Sequence, residues 1–232
     1  MIVKKLLLCF VLVFCISCAM TNRIKARQLA EGYLQQRYTQ EMKYRFTWRI
    51  LAESSNYHVI FSPKNNPKIF FEVTIFSNLS EPREYMRYDG RYFVPDDYLI
   101  TLFCLNLKKD LSSKIQEIWD GSISCLVAVD YQPFELNEHM ELREMELYIE
   151  YEIFIYTKLL ISKIDKEKEA ANMLAIFKMI NDSGYNPLII SFRYKINWNN
   201  NIYFRFENWH ELTLSNIIEA MKQKMRREMS TN

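Results

Sequence analysis

KYRFTWRI (Lys43–Ile50), YHVIFS (Tyr57–Ser62) and IFFEVTIF (Ile69–Phe76) decide the fold of the first half of the chain. In each, apolar residues take alternate positions: Tyr44, Phe46, Trp48 and Ile50, then Tyr57, Val59 and Phe61, then Ile69, Phe71, Val73 and Ile75. A period of two is the signature of a half-buried strand. Residues 63–67, Pro-Lys-Asn-Asn-Pro, form a turn by composition. The connections are too short for crossovers, so the three strands are expected to run as an antiparallel meander.

Helical spacing brackets the meander. Upstream, Ile24, Leu29, Ala30, Tyr33 and Leu34 predict a helix over residues 21–38, with Asn22 as its N-cap. Downstream, Asp89-Gly90 marks a turn, and Asp96 or Asp97 caps a helix that runs to about Trp119 and stops at Gly121. Its apolar stripe is Leu99, Leu102, Leu111, Ile115, Ile118 and Trp119, blurred between Phe103 and Leu107. The same order returns in the second half. Ile123, Cys125, Val127, Val129 and Tyr131 alternate as a strand, and residues 133–144 are acidic and ambiguous. A long strand is expected over 145–161, with Leu147, Ile149, Tyr151, Ile153 and Ile155 on one face. A helix over 165–183 stops at Gly184; Leu188, Ile190, Phe192, Tyr194 and Ile196 line the next strand, and Trp198–Asn201 turns into Ile202, Phe204 and Phe206. Leu214, Ile217, Ile218, Met221 and Met225 define the last helix. The expected architecture is α+β: two helix–antiparallel-strands–helix units, 18–121 and 122–232, packed as one or two small domains.

Before residue 18 the composition changes. Lys4 and Lys5 precede an unbroken apolar run, Leu6–Ile16, and the small residues Ser17 and Ala19 flank Cys18. That is the layout of a secretory signal, and the run is shorter than the roughly 20 residues of a membrane span. Built around Cys18, it resembles the signal of bacterial lipoproteins, although Cys15 stands where that family usually has Leu. The resemblance implies removal of residues 1–17 and a lipid on Cys18; cleavage after Ala19 or an uncleaved anchor are the other outcomes. Two acyl chains would anchor stably where one is marginal. Residues 26–75, a helix followed by a meander, also resemble the cystatin-like and related α+β modules of bacterial lipoproteins of unknown function; that likeness is one of pattern and carries no functional residue across.

Composition narrows the function classes. Hydrophobic residues make up 49% of the 232, enough for a packed core. Without Lys4 and Lys5 the basic and acidic residues balance at 28 each, so no global field points to nucleic acid. The 4 glycines are too scattered for a phosphate-cradling loop, and no Gly-x-Ser-x-Gly occurs. His58, His139 and His210 stand far apart, His58 on an outer sheet face, and no metal site or cofactor is expected. Cys104 and Cys125 are either a disulfide or two small core residues, Cys125 being in phase with the apolar set.

Two surface features remain. Glu135, Glu138, Glu141, Glu144, Glu146, Glu150 and Glu152 concentrate acid, with Glu146, Glu150 and Glu152 on one strand face. That face is either solvated and paired with Arg193, Lys195 and Arg205 across strands, or a recognition face for a basic partner. Trp198, Tyr203, Trp209 and His210 gather near one hairpin, either as an exposed binding surface or as cover for the final helix. The expectation is a lipid-anchored, non-catalytic interaction module on the outer side of a bacterial membrane. An immunity protein neutralising a toxin is the alternative, and an enzyme with scattered carboxylates a second one.

Overall fold

The computed structural model describes residues 2–49, 56–83, 85–86, 92–119, 121–127, 138–146, 149–197 and 200–230. Its internal contacts divide the chain into two compact units, Met1–Thr101 and Leu102–Asn232, where the sequence reading draws its boundary at Gly121. Both units are α+β.

The first unit opens with helix α1, Ile2–Arg37. It runs unbroken through Asn22, which therefore caps nothing. Among the residues whose burial is described, its buried line is Ala26, Ala30 and Leu34, continued by Tyr38 just past its end, each four residues from the last, while Ile24 is exposed. Positions four apart lie on one helix face, and two alanines there let the backbone approach the sheet. Strands β1 (Met42–Trp48), β2 (Tyr57–Pro63) and β3 (Phe71–Ile75) form the antiparallel meander β1-β2-β3. Ile69 is buried but precedes β3.

One correction in β1 follows from a β-bulge. Tyr44 pairs with Phe61, but the next pair is Phe46 with Ile60. The extra residue, Arg45, reverses the alternation after it. Thr47 thus lies opposite the fully buried Val59, and Trp48 opposite His58. Phe46, expected inside, is 53% exposed, and Trp48 stacks on the His58 ring at 4.1 Å on the outer face. Ile50 and the Asp89-Gly90 turn fall outside the described residues. A two-residue pair, β4 (Tyr85–Met86) and β5 (Tyr92–Phe93), precedes helix α2, Tyr98–Ile118.

The division between units falls within α2. In the first unit, Tyr98 packs against Phe71 and Tyr38 with ring centroids 4.9 and 5.0 Å apart. In the second, Phe103, Leu107, Leu111 and Ile115 are fully buried, and Phe103 meets Tyr151 edge-on at 5.0 Å. Leu99, Leu111, Ile115 and Trp119 of the expected stripe are buried, whereas Leu102 and Ile118 are only half-buried and Phe103 and Leu107 take their place. Gly121 opens strand β6 (Gly121–Val127) rather than capping the helix, and a Cβ there would come within 3.0 Å of the Trp119 ring.

The second sheet has the order β6-β7-β8-β9, with β7 at Tyr151–Leu160, β8 at Ile189–Lys195 and β9 at Asn201–Phe206. It is mixed, not wholly antiparallel: β7 and β8 run parallel across helix α4, Lys166–Asp182. Asp165 caps α4, accepting from the Lys168 N–H at 3.1 Å. Gly184, at φ +74°, ends it: the Gly184 N–H bonds to Asn181 O and the Tyr185 N–H to Ile180 O, the Schellman pattern. The expected strand over 145–161 is split. Met145 lies buried in a short helix, α3 (Leu142–Glu146), Leu147 is outside the described residues, and pairing begins only at Tyr151. Ile190, Phe192 and Tyr194 with Ile202, Phe204 and Phe206 form the buried face, while Leu188 is exposed. Helix α5, Leu214–Ser230, buries Ile217, Met221 and Met225 and leaves Leu214 exposed. Thr213 and Asn216 cap it reciprocally, each side chain accepting from the other's backbone N–H. Among the described residues no helix is long and apolar enough to cross a membrane.

Leu107→Ala deletes a fully buried side chain and should cost about 2–5 kcal/mol, whereas Leu105→Ala, on the exposed side of α2, should cost under about 1 kcal/mol. Urea unfolding of both variants checks the orientation of the helix; equal losses would contradict it.

Candidate functional site

Each unit carries a polar node that the sequence reading did not single out. In the first, Asp96 is 4% exposed and sits just before α2. Tyr33 of α1 and Tyr38, the residue after its end, donate their hydroxyls to its two oxygens at 2.8 and 2.7 Å, and the Tyr98 N–H donates at 3.1 Å. Arg37 lies 3.5 Å away and donates to the Tyr38 hydroxyl at 3.0 Å. Burial, then the Asp96 charge, pushes both tyrosine hydroxyls far above their usual range. Burial works against the charge of Arg37, but the two tyrosines and Asp96 hold its pKa above the ordinary value. The one readable signal was Tyr33, Arg37 and Tyr38 standing beside the Ala30–Leu34 line.

Next to it, residues 95–97 run along the edge of β3. The Thr74 N–H bonds to Pro95 O, the Asp97 N–H to Glu72 O, and the Glu72 N–H to the Asp97 carboxylate at 2.6 Å. The Glu72 carboxylate meets His58 Nδ1 at 2.5 Å. Burial pushes the Asp97 pKa up to about 6, against the hydrogen bond from the Glu72 N–H and with help from the Glu72 and Asp96 charges.

The second node corrects the acidic face. Glu146 does not share a strand face with Glu150 and Glu152, because it belongs to α3. Its side chain is 10% exposed; it accepts from the Asn186 N–H at 2.6 Å and from the Tyr151 hydroxyl, and pairs with Arg143 at 3.1 Å. Arg143 lies over the Tyr185 ring, 3.6 Å from its centroid, and donates to Ser183 O. The Tyr185 hydroxyl donates to Asp110 at 2.8 Å, and Lys114 reaches both Asp110 and Ser183. Burial opposes the Asp110 charge, but Tyr185 and Lys114 outweigh it and hold the carboxyl below its usual range. Burial first, then Asp110, raises the Tyr185 hydroxyl. Glu150 is exposed; Glu152 accepts from the Ser191 hydroxyl at 2.5 Å and lies 3.9 Å from Arg205. Glu135 is outside the described residues.

The aromatic group separates as well. Trp209 is core, 2% exposed, its Nε1 donating to Pro187 O at 2.9 Å. His210 is exposed, its ring tilted 33° against that of Trp209 at 3.5 Å between centroids. Trp198 is outside the described residues. Tyr203 is 42% exposed on the outer face of the second sheet, where the Arg193 guanidinium lies 5.8 Å from its ring and 5.2 Å from that of Tyr156. Beside Tyr203 a cleft of about 270 Å³ opens between β9 and α5. Cys104 is a half-buried free thiol, and the backbone of Cys125 pairs with Ile153. Among the described residues no group of three His, Cys, Asp or Glu is arranged to hold a metal ion.

No family model and no curated protein matches the chain. It is similar to the crystal structure of a DUF5037 family protein from Ruminococcus gnavus ATCC 29149, at 14% identity and a TM-score of 0.43, over 87% of this chain and 98% of that one.

Two outcomes follow. Glu146→Gln removes a charged acceptor from a nearly buried site and should destabilise the protein by about 1–3 kcal/mol, while Glu150→Gln should change little; denaturant midpoints decide. For Asp97 the folded value lies above the ordinary 3.8, so folding favours the protonated form. Its contribution is present below the ordinary value and is lost as pH rises through about 6. Asp97→Asn keeps the acceptor for the Glu72 N–H, so the variant should gain stability over the parent as pH rises through that window; parallel stability–pH curves would refute it.

Proposed function

We propose that this chain is a non-catalytic binding module tethered to the outer side of a bacterial membrane by a lipid on Cys18. The stretch Met1–Cys18 carries the reading: two lysines, an apolar run too short to span, and small residues on either side of the cysteine. Each buried CH₂ contributes roughly 0.8 kcal/mol, so the two chains of a diacylglyceryl group would suffice to hold the protein at a membrane. The course of α1 fits a tether. Cys18 lies eight residues before the buried Ala26 in the same helix, a rise of about 12 Å at 1.5 Å per residue. The absence of catalysis is supported by what the ionisable groups do: Asp96, Glu146 and Asp110 each hold several donors and fasten elements together. The balanced charge of the chain beyond residue 17 argues against nucleic acid as partner. A partner in the cell envelope is therefore part of the proposal.

In a bacterial host the parent protein should fractionate with membranes and incorporate labelled palmitate. Cys18→Ala should move it to the soluble exported fraction or leave an unprocessed precursor, without label. A variant that matures and stays in the membrane fraction as before would refute the tether.

A further inference from the structure

We infer that residues 20–25 of α1 form a contact surface for anionic phospholipid headgroups, with Ile24 at the acyl boundary and Arg23 and Lys25 on the phosphates. This deepens the reading of the chain as a tethered module and rests on the lipid at Cys18. Met20 and Ile24 are large apolar side chains, yet they are 64% and 49% exposed. Standing four residues apart, they share one face of the helix, off the buried line through Ala26 and Ala30. An isolated exposed apolar residue is ordinary. Here two share a face, and both lie within about 9 Å of Cys18 along the helix at 1.5 Å per residue.

Distance names the occupant. The polar layer of a bilayer is roughly 5–8 Å deep on each side of the hydrocarbon. Lys25 stands about 11 Å along the helix from Cys18, and any tilt of α1 brings it nearer the surface. A tether whose acyl chains sit in the hydrocarbon therefore holds residues 20–25 among or against the headgroups. The bilayer is the one surface that the tether itself presses on this face. Charge agrees with that occupant. Arg23 and Lys25 are exposed and flank Ile24, about 100° to either side of it around the helix. Neither has an ion pair or a hydrogen bond among the described residues, whereas Arg27, one turn on, is taken by Glu31 at 2.8 Å and lies over the Tyr44 ring. No acidic residue stands between Cys18 and Glu31. At physiological salt a charge is felt over about 8 Å, so both cations lie within reach of an anionic surface. Long basic side chains keep their charged ends among the headgroups while an apolar neighbour dips below them.

The test uses the full chain as a bacterial host processes it, purified in detergent and reconstituted into phosphatidylcholine vesicles with and without phosphatidylglycerol. An environment-sensitive dye is attached at Ile24→Cys and, separately, at Gln36→Cys, both in a Cys104→Ala, Cys125→Ala background. Gln36 is exposed on the same helix, about 18 Å further from the tether. In phosphatidylglycerol vesicles the dye at residue 24 should brighten and shift to shorter wavelength, and the dye at residue 36 should emit as in water. Transfer of the protein from phosphatidylglycerol vesicles to acceptor vesicles should quicken at least about tenfold when Arg23 and Lys25 are both replaced by Gln, and raised salt should do the same to the parent. Transfer from phosphatidylcholine vesicles should not change. Because the substituted positions of α1 are exposed, melting curves should match those of the parent background. A dye at residue 24 that stays in water, an equal response at residues 24 and 36, or transfer indifferent to Arg23 and Lys25 overturns the contact. A response in native membranes but not in vesicles assigns the face to a protein partner and overturns it too. Labelled palmitate in the same preparation reports the tether separately: with label, these outcomes judge the contact alone, and without it the tether and the contact fall together.

Discussion

A carboxylate withdrawn from water must be met by donors held at fixed positions, because an uncompensated buried charge costs several kcal/mol. Asp96 in the first unit and Glu146 in the second show how this is met. In the first, Asp96 draws the hydroxyls of Tyr33 and Tyr38, at and just past the end of α1, and a backbone N–H from the start of α2. In the second, Glu146 draws the Asn186 N–H, the Tyr151 hydroxyl and Arg143 into one place. Non-directional apolar contact would tolerate many arrangements of these elements. Hydrogen-bonded carboxylates tolerate few, since a displacement of one ångström leaves a buried acceptor unmet. The apolar faces supply the bulk of the stability, and the two acids select which packing is adopted.

The same constraint separates structural ionisable groups from available ones. Tyr33, Tyr38 and Arg37 are committed to Asp96, and Arg143, Tyr185 and Lys114 to the cluster around Glu146 and Asp110. Arg205 stands apart from both clusters, with ionic neighbours at 3.9 Å and a donor fork no hydrogen bond occupies among the described residues. The acid-rich segment, conspicuous in the sequence, contributes a structural residue at Glu146 and a hydrogen-bonded one at Glu152. Charge density along the chain is thus a poor guide to availability, because it says nothing about which donors the fold brings to each carboxylate.

The elements that could be read from the sequence were those whose pairing is regular. Tyr57, Val59 and Phe61 alternate over a strand paired residue for residue with its neighbour, and they are buried as their period predicts. In β1 the period was read through Arg45, where two residues oppose one, and every side chain beyond it changed face. Nothing in the local composition announces that bulge. The residues around Glu146 misled for another reason: apolar residues every second position up to Met145 continue the phase of β7, yet the chain turns helically there to bring Glu146 to Asn186. That contact joins residues 40 apart, beyond the reach of a local pattern. Asp96 and the two tyrosines, 63 and 58 residues from it, were hidden in the same way. In α2 the line of residues four apart was present in the sequence, but Phe103 and Leu107 were read as its blurred part because Leu102 and Ile118 competed for the stripe.

The composition of the β9–α5 cleft follows from the two periodicities that build the core beside it. On β9 the inward positions are Ile202, Phe204 and Phe206, which leaves Tyr203 and Arg205 on the opposite face. On α5 the buried line is Ile217, Met221 and Met225, spaced by four. The cleft residues Ala220 with Lys224 and Gln223 with Arg227 keep the same spacing and fall on adjacent lines of that helix. A small residue, Ala220, opens the hollow, and cations lie one turn further along. Exchanging Arg205, Lys224 or Arg227 with a core position would bury a charge and expose an apolar side chain together. The core pattern therefore fixes which face of its element carries each of Arg205, Lys224 and Arg227.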